Sequence, residues 1–291
     1  MVRFLTLLAS GLSLGGVYAL VSLGFVLVFK STRVLNLAMG EFLMVGAYLG
    51  FFFISHLGWP FIPALVVVAI LMGILGLFVH YRIMRGLVGR PFFAVVLVTI
   101  GIAIVIRGVI LVVAGPIERA RMTALSSRMF DIGGVKVEAF NFIIFGSALL
   151  LVGGFYVFFQ RSRLGLHMRA VAENLQAASA MGISPDRVYA FAWGISLAMA
   201  GVAGVFFGHY TAAIDLNIAA IGIRAAPAAI VGGLDSVKGA IVGGLIVGTL
   251  EQVGSGYLGA DYRDVIPFLI LTIMLYVRPA GLYGSKELIR I

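Results

Sequence analysis

The segment RSRLGLHMRAVAENLQAASAMGISPDR, residues 161–187, is a polar island between two long apolar runs. A chain dissolved in lipid gains no packing from a short amphipathic helix in an internal loop, so such a helix is expected to be gripped from outside the bilayer. Met168, Val171, Ala172, Leu175, Ala178 and Gly182 fall at helical spacing, and Arg169, Glu173 and Gln176 lie elsewhere. Arg169 and Glu173 stand four apart and can pair, in the weaker of the two orders. Gly182 is a natural stop, and Ser184-Pro185 has the form of an N-cap followed by Pro at the first helical position. The expectation is a short helix, a break and a return into the membrane.

Outward from this segment the chain is apolar almost throughout. It is 62% hydrophobic and 11% charged, with a mean hydropathy of +1.12, so hydrocarbon is its solvent. Runs of about 20 apolar residues are long enough to span as helices. They occur near 4–29, 37–57, 61–80, 92–115, 139–159, 188–209, 214–234, 238–257 and 264–278. The 214–234 run contains Asp215, Asn217, Arg224 and Pro227 and reads as broken or re-entrant. The predicted fold is therefore an all-α transmembrane bundle of eight to nine spans, one domain over residues 1–291. The runs are continuous rather than alternating, which argues against a β-barrel.

Basic residues orient the bundle, because short loops rich in Lys and Arg stay in the cytoplasm. They cluster at Lys30 and Arg33, at His80, Arg82, Arg85 and Arg90, at Arg161, Arg163, Arg169 and Arg187, and at Arg278, Lys286 and Arg290. Nine spans place all four clusters on one side with the N-terminus outside, and eight would move the tail across. The loop 116–138 then faces out with mixed charge from Glu118, Arg119, Arg121, Arg128, Asp131, Lys136 and Glu138. The net charge of +9 is accounted for by this bias and calls for no nucleic acid. Cysteine is absent, which excludes disulfides and thiolate metal sites. The first run is too long for a signal h-region and is expected to be retained.

Glycine pairs four apart, such as 11/15, 46/50, 204/208, 239/243 and 244/248, predict helix backbones in close approach. Charges inside apolar runs are costly in lipid. Arg107 lies well inside its run, Glu41 follows Asn36 at the inner start of the second span, and Glu251 lies in the outer part of 238–257. Asn36, Glu41, Arg107 and Glu251 are candidates for a polar translocation path, or for pairs that hold the bundle. Asp235, Lys238 and His209 read as interfacial and solvated.

Enzyme chemistry finds little support. Gly11-Leu12-Ser13-Leu14-Gly15 matches G-x-S-x-G, but inside a predicted span rather than on a strand-to-helix turn. Four scattered histidines make no metal site. No Walker A pattern occurs, so this chain is not expected to bind ATP by a P-loop. No catalytic residue, cofactor or metal is expected. A self-sufficient ion-coupled secondary transporter, using Glu41, Arg107 or Glu251, is the rival class.

Four blocks in order carry a family resemblance. The first runs from Gly16-Val17-Tyr18-Ala19-Leu20 through Asn36-Leu37-Ala38-Met39-Gly40-Glu41-Phe42 to Gly46-Ala47-Tyr48. The second runs from Arg169-Ala170-Val171-Ala172-Glu173-Asn174 through Ala177-Ala178 to Met181-Gly182-Ile183. The third is Ala228-Ala229-Ile230-Val231-Gly232-Gly233-Leu234-Asp235-Ser236-Val237-Lys238-Gly239-Ala240, and the fourth Arg278-Pro279-Ala280-Gly281-Leu282-Tyr283-Gly284. Over essentially its full length the chain resembles the permease subunit of branched-chain amino acid ABC importers.

That resemblance implies that 161–187 is the cytoplasmic coupling segment docking on an ATPase, with Arg169, Glu173, Ala177 and Gly182 at the contact. Asn174 stands where the wider importer loop has Ala. The implied partners are a second permease subunit, two ATP-binding subunits, an extracytoplasmic substrate-binding protein, membrane lipid and a small amino-acid substrate, in a bacterial inner membrane. Permeases for urea and short-chain amides are similar and stand as the alternative substrate class.

Overall fold

The computed structural model describes residues 2–115, 119–120, 129–132, 135–211 and 213–285. Most of the loop 116–138, with Glu118, Arg121 and Arg128, lies outside the described residues, as do Lys286 and Arg290 of the tail. The helices are α1 Val2–Thr32, α2 Met39–Phe51, α3 Phe61–Arg82, α4 Phe92–Ala114 and α5 Ala139–Arg161, then α6 Arg163–Glu173, α7 Leu175–Ala180 and α8 Pro185–Tyr210, and finally α9 Ala220–Gly232, α10 Val237–Leu258 and α11 Val265–Val277. A π turn, Phe52–His56, extends α2, and a 3-10 turn, Leu216–Ala219, precedes α9. Two short antiparallel ribbons pair Arg119–Ala120 with Ala213–Ile214 and Met129–Ile132 with Val135–Glu138.

Among the described residues seven helices are long and apolar enough to cross a membrane: α1, α2 with its π turn, α3, α4, α5, α8 and α10. This corrects the expected eight to nine. The 214–234 run forms one shorter apolar element, Leu216–Gly232, in which the 3-10 turn continues directly into α9. The last run yields a helix of 13 residues, which rises about 20 Å where hydrocarbon is about 30 Å thick. The end of α9 and the tail after α11 nevertheless meet at the Lys30 end of the bundle. Leu282 N donates to the Val231 carbonyl at 2.8 Å and Tyr283 N to the Gly232 carbonyl at 2.9 Å. Lys30 Nζ donates to the Asp235 carbonyl at 2.9 Å. The tail therefore folds back to the end of the bundle where α1 finishes, the side that the nine-segment reading gave it.

α1 is the axis of the bundle. From Gly11 onward it is buried along nearly its whole length, because α5, α8, α9 and α10 surround it. Its contact with α10 is made backbone to backbone: a Cβ on Gly15 would lie 3.0 Å from Leu245 Cα, and one on Gly248 would lie 2.6 Å from Gly15. α2 and α8 meet in the same way, with Gly46 on Gly201 and Gly204 on the Leu43 carbonyl. Lipid offers no hydrophobic drive to press helices together, so stability comes from dispersion between closely apposed backbones. α4 is fully buried only along the stripe Val95, Thr99 and Ala103, with Val98, Ile102, Ile106 and Ile110 partly buried beside it and the opposite face exposed.

Gly204→Val should cost about 1–3 kcal/mol by overpacking and visibly lower the thermal transition in detergent. Gly101→Ala, where nothing lies within 4 Å of the added Cβ, should leave it unchanged or higher. Equal losses in both would refute the role given to backbone contact.

Candidate functional site

The 161–187 segment folds as two short helices rather than one. Ser162 caps α6, accepting from Gly165 N at 2.9 Å. α6 stops at Asn174, whose extended backbone ends the ladder while its side chain accepts from Ala177 N at 2.9 Å and opens α7. A short polar side chain that competes for backbone donors places the break here, eight residues before the stop expected at Gly182. Gly182 still ends α7, with φ at +80°. Ser184 and Pro185 begin α8 as expected.

Met168, Val171 and Ala178 turn inward, whereas Leu175, expected on the same face, is 44% exposed. Arg169 does not pair with Glu173. Its guanidinium donates to the carbonyls of Phe159 and Gln160 and lies over the Phe159 ring. These carbonyls belong to the last turn of α5, where cations complement the helix dipole. Arg169 thus anchors the segment, and Glu173, Ala177 and Gly182 are left exposed. Met181, at 83% exposure, is an exposed apolar residue on this segment that spacing alone did not single out.

A second irregular feature lies inside the bundle. After Thr32 the chain climbs without helix through 33–38 before α2 begins. Ser196 fixes the depth of that start, donating to the Gly24 carbonyl at 2.8 Å and lying 4.0 Å from Met39 Sδ. Gly24 is eight residues from the end of α1, about 12 Å along it. Glu41 is therefore well inside the bundle, which corrects its expected place at the inner surface. Ala38 N donates to Asn36 Oδ1 at 3.1 Å and Leu37 N to Thr99 Oγ1 at 3.2 Å. Irregular backbone at this depth is tolerated because it is enclosed by protein. The start of α9 meets the start of α2, where Gly40 packs on Ala219 and Gly222.

The four expected path residues separate into two groups. Glu41 faces Arg107 across α2 and α4 at 3.9 Å, a charge contact beyond hydrogen-bond reach, and Arg107 is half exposed. Asn36 is buried just before Glu41. Glu251 belongs to another cluster. It is wholly buried, accepts from Tyr18 Oη at 2.5 Å and faces Arg224 Nη1 at 3.5 Å. Arg224 Nε also approaches Asp264 to 3.1 Å, as an ion pair without hydrogen-bond alignment. Arg224 and Tyr18 were not foreseen as site residues, although Arg224 inside an apolar run was the signal available.

Other expectations change. His209 is not solvated but buried against Phe140, with ring centroids 3.7 Å apart. Asp235 clasps the tail through Ser285 N at 3.0 Å and the Ser285 hydroxyl. Burial pushes its carboxyl up, but the Ser285 hydrogen bonds outweigh that and hold it below the usual carboxylate value. Lys238 lies over the Tyr156 ring. Ser13, of the G-x-S-x-G match, donates to the Asn141 carbonyl at 2.8 Å and ties α1 to α5.

Removing Arg224 strands a buried carboxylate. Arg224→Met should cost about 3–5 kcal/mol, read as a lower thermal transition, and adding Glu251→Gln should restore much of it. A double variant no better than the single would show that the two side chains are not coupled.

The chain matches, over residues 7–275, the family described as branched-chain amino acid transport system / permease component. It is 31% identical over 298 residues to the high-affinity branched-chain amino acid transport system permease protein BraD of Pseudomonas aeruginosa, covering 98% of this chain and 97% of the relative. Over 301 residues it is 32% identical to the corresponding protein LivH of Escherichia coli K12, covering 98% and 96%. A probable LivH of Methanocaldococcus jannaschii is 29% identical over 280 residues, covering 91% and 88%. The match enters in α1, passes through both broken elements and the α6–α7 segment, and ends within α11. The chain as a whole, a multi-pass membrane protein, therefore belongs to the family of branched-chain amino acid transport permease components.

Proposed function

We propose that the chain is one of two permease subunits of a bacterial inner-membrane ABC importer, which takes up leucine, isoleucine or valine delivered by a soluble binding protein. Two ATP-binding subunits supply the energy. The observation that carries this reading is α6–α7, a pair of capped, exposed helices that Arg169 ties to the end of α5. A segment so anchored moves with α5 and α8 when it is pushed. Glu173, Ala177 and Gly182, with Leu175 and Met181, form the face offered to the ATPase, and the Lys30 end is the cytoplasmic one.

The translocation path runs past the start of α2. Half-helices that begin inside a bundle recur at transporter binding sites, because their free N–H groups face anionic substrate groups. Here α2 and α9 both start near Gly40. The donors in the first turn of α2 suit the carboxylate of a zwitterion, and Glu41 suits its ammonium, with Arg107 balancing Glu41 between substrates. The Glu251–Arg224 pair fixes α9 against α10 and holds that geometry.

The test is uptake by the assembled complex with its binding protein. Leucine should accumulate only with ATP, and a binding protein that takes urea or an amide but no aliphatic amino acid would overturn the substrate class. Glu173→Lys and Gly182→Leu should each insert normally but reduce ATP-coupled uptake about tenfold, the effect of ~1.4 kcal/mol at the docking face. Leucine accumulation by the lone chain on a proton or sodium gradient would replace the importer with a secondary transporter.

A further inference from the structure

A cavity of about 470 Å³ opens at the Lys30 end, between the end of α1, the α3–α4 connection, α6–α7 and the start of α8. Lys30, Arg33, His80 and Arg90 line it, and no Asp or Glu does. Its remaining wall is apolar and aromatic, including Val171, Leu175, Tyr189 and Trp193. This volume lies within the range of small-molecule sites.

Two further observations point to an anion. His80 is 1% exposed, its Nε2 lies 3.0 Å from Asp186 Oδ1, and its Nδ1 has no hydrogen-bond partner among the described residues. As an imidazolium it donates from both nitrogens, so one remains for a ligand. Arg33 has φ at +56°, the only non-glycine residue among those described in the left-handed region. It closes α1, donating from its backbone N to the Phe29 carbonyl at 2.7 Å. Glycine would adopt that conformation without strain, and glycine would remove a guanidinium from the cavity rim. Strain held at one residue is a pointer to function.

We propose that this cavity is a regulatory site for a small aliphatic monocarboxylate. The carboxylate lies among Arg33, His80 and Arg90, and the aliphatic tail lies on Val171, Leu175 and Trp193. A zwitterion is the poorer ligand, because its ammonium would sit beside Lys30, Arg33 and Arg90 in a lining that holds no carboxylate. The favoured class is the 2-oxo acid left when an aliphatic amino acid loses its amino group. Val171 and Ala172 of α6 and Leu175 of α7 form part of the wall. A ligand there makes contacts that depend on where α6–α7 sit, so it stabilises the arrangement described and opposes the motion that drives uptake. This regulatory meaning, though not the binding itself, rests on the transport reading above.

The test is calorimetry on the full-length chain in detergent free of anionic lipid, with 4-methyl-2-oxopentanoate as the probe. Saturable binding is expected, at least about tenfold tighter than for leucine or inorganic phosphate, the margin of one charge-assisted hydrogen bond. Arg33→Gly should weaken it about tenfold while leaving thermal stability equal or higher, and Arg90→Gln should weaken it without unfolding. Absent saturation, wild-type affinity in both variants, or occupancy only by lipid from anionic vesicles would each overturn the site. In proteoliposomes of the assembled complex, the internal oxo acid should slow leucine uptake. A complex that imports leucine yet binds no oxo acid sinks this inference alone. Binding by a complex that imports no leucine upholds the site and sinks only the transport reading.

Discussion

Helix backbones in this bundle touch, and the rest of the structure depends on that contact. Where α1 meets α10 and α2 meets α8, the surfaces are glycine and carbonyl rather than interlocked side chains. In lipid no water is expelled by bringing apolar helices together, so attraction must come from short-range dispersion, which falls away with small separations. Close approach also leaves the helices few bulky knobs that would lock one register. Such an interface is tight without depending on interlocked side chains.

Against that framework two departures from regular helix meet inside the bundle. α2 starts deep in the bundle, α9 is short, and their starts meet at Gly40, Ala219 and Gly222. Enclosure makes the interruption tolerable: Asn36 and Thr99 accept from backbone N–H groups that helix would otherwise satisfy. The buried charges divide the labour. Glu251 is held from two sides by Tyr18 and Arg224, an arrangement suited to keeping elements in place. Glu41 and Arg107 are in looser contact, 3.9 Å apart.

At the Lys30 end, the structural elements that would receive force are joined to one another. Arg169 fastens α6 to the end of α5. His80 and Arg85 fasten the α3 end to Asp186 in the first turn of α8. Asp235 gathers Lys30 and the tail. Pushing on α6–α7 therefore moves several helix ends together, and the basic cavity lies among them.

Much of this was legible in the residues. Continuous apolar runs predicted the long helices because a buried backbone in lipid can satisfy itself only in helix or closed barrel. Basic clusters predicted which helix ends share a side, and four ordered blocks carried the family. Glycine spacing predicted close packing, though not which helix meets which. Hydropathy placed the second run at 37–57, close to the start of α2 at Met39, but could not show how deep in the bundle that start lies. It overcounted long spans, as the last run makes only a short helix. The break at Asn174 was missed because helical periodicity continued through it, and one side chain's competition for backbone donors decided the matter locally. Only the tertiary structure could choose charge partners: Tyr18 lies 233 residues from Glu251 in sequence and Arg224 lies 27 from it, no sequence pattern links the three, and it is the packing of α1, α9 and α10 that brings them together. Sequence determined what must leave water, and packing determined which polar groups that left facing each other.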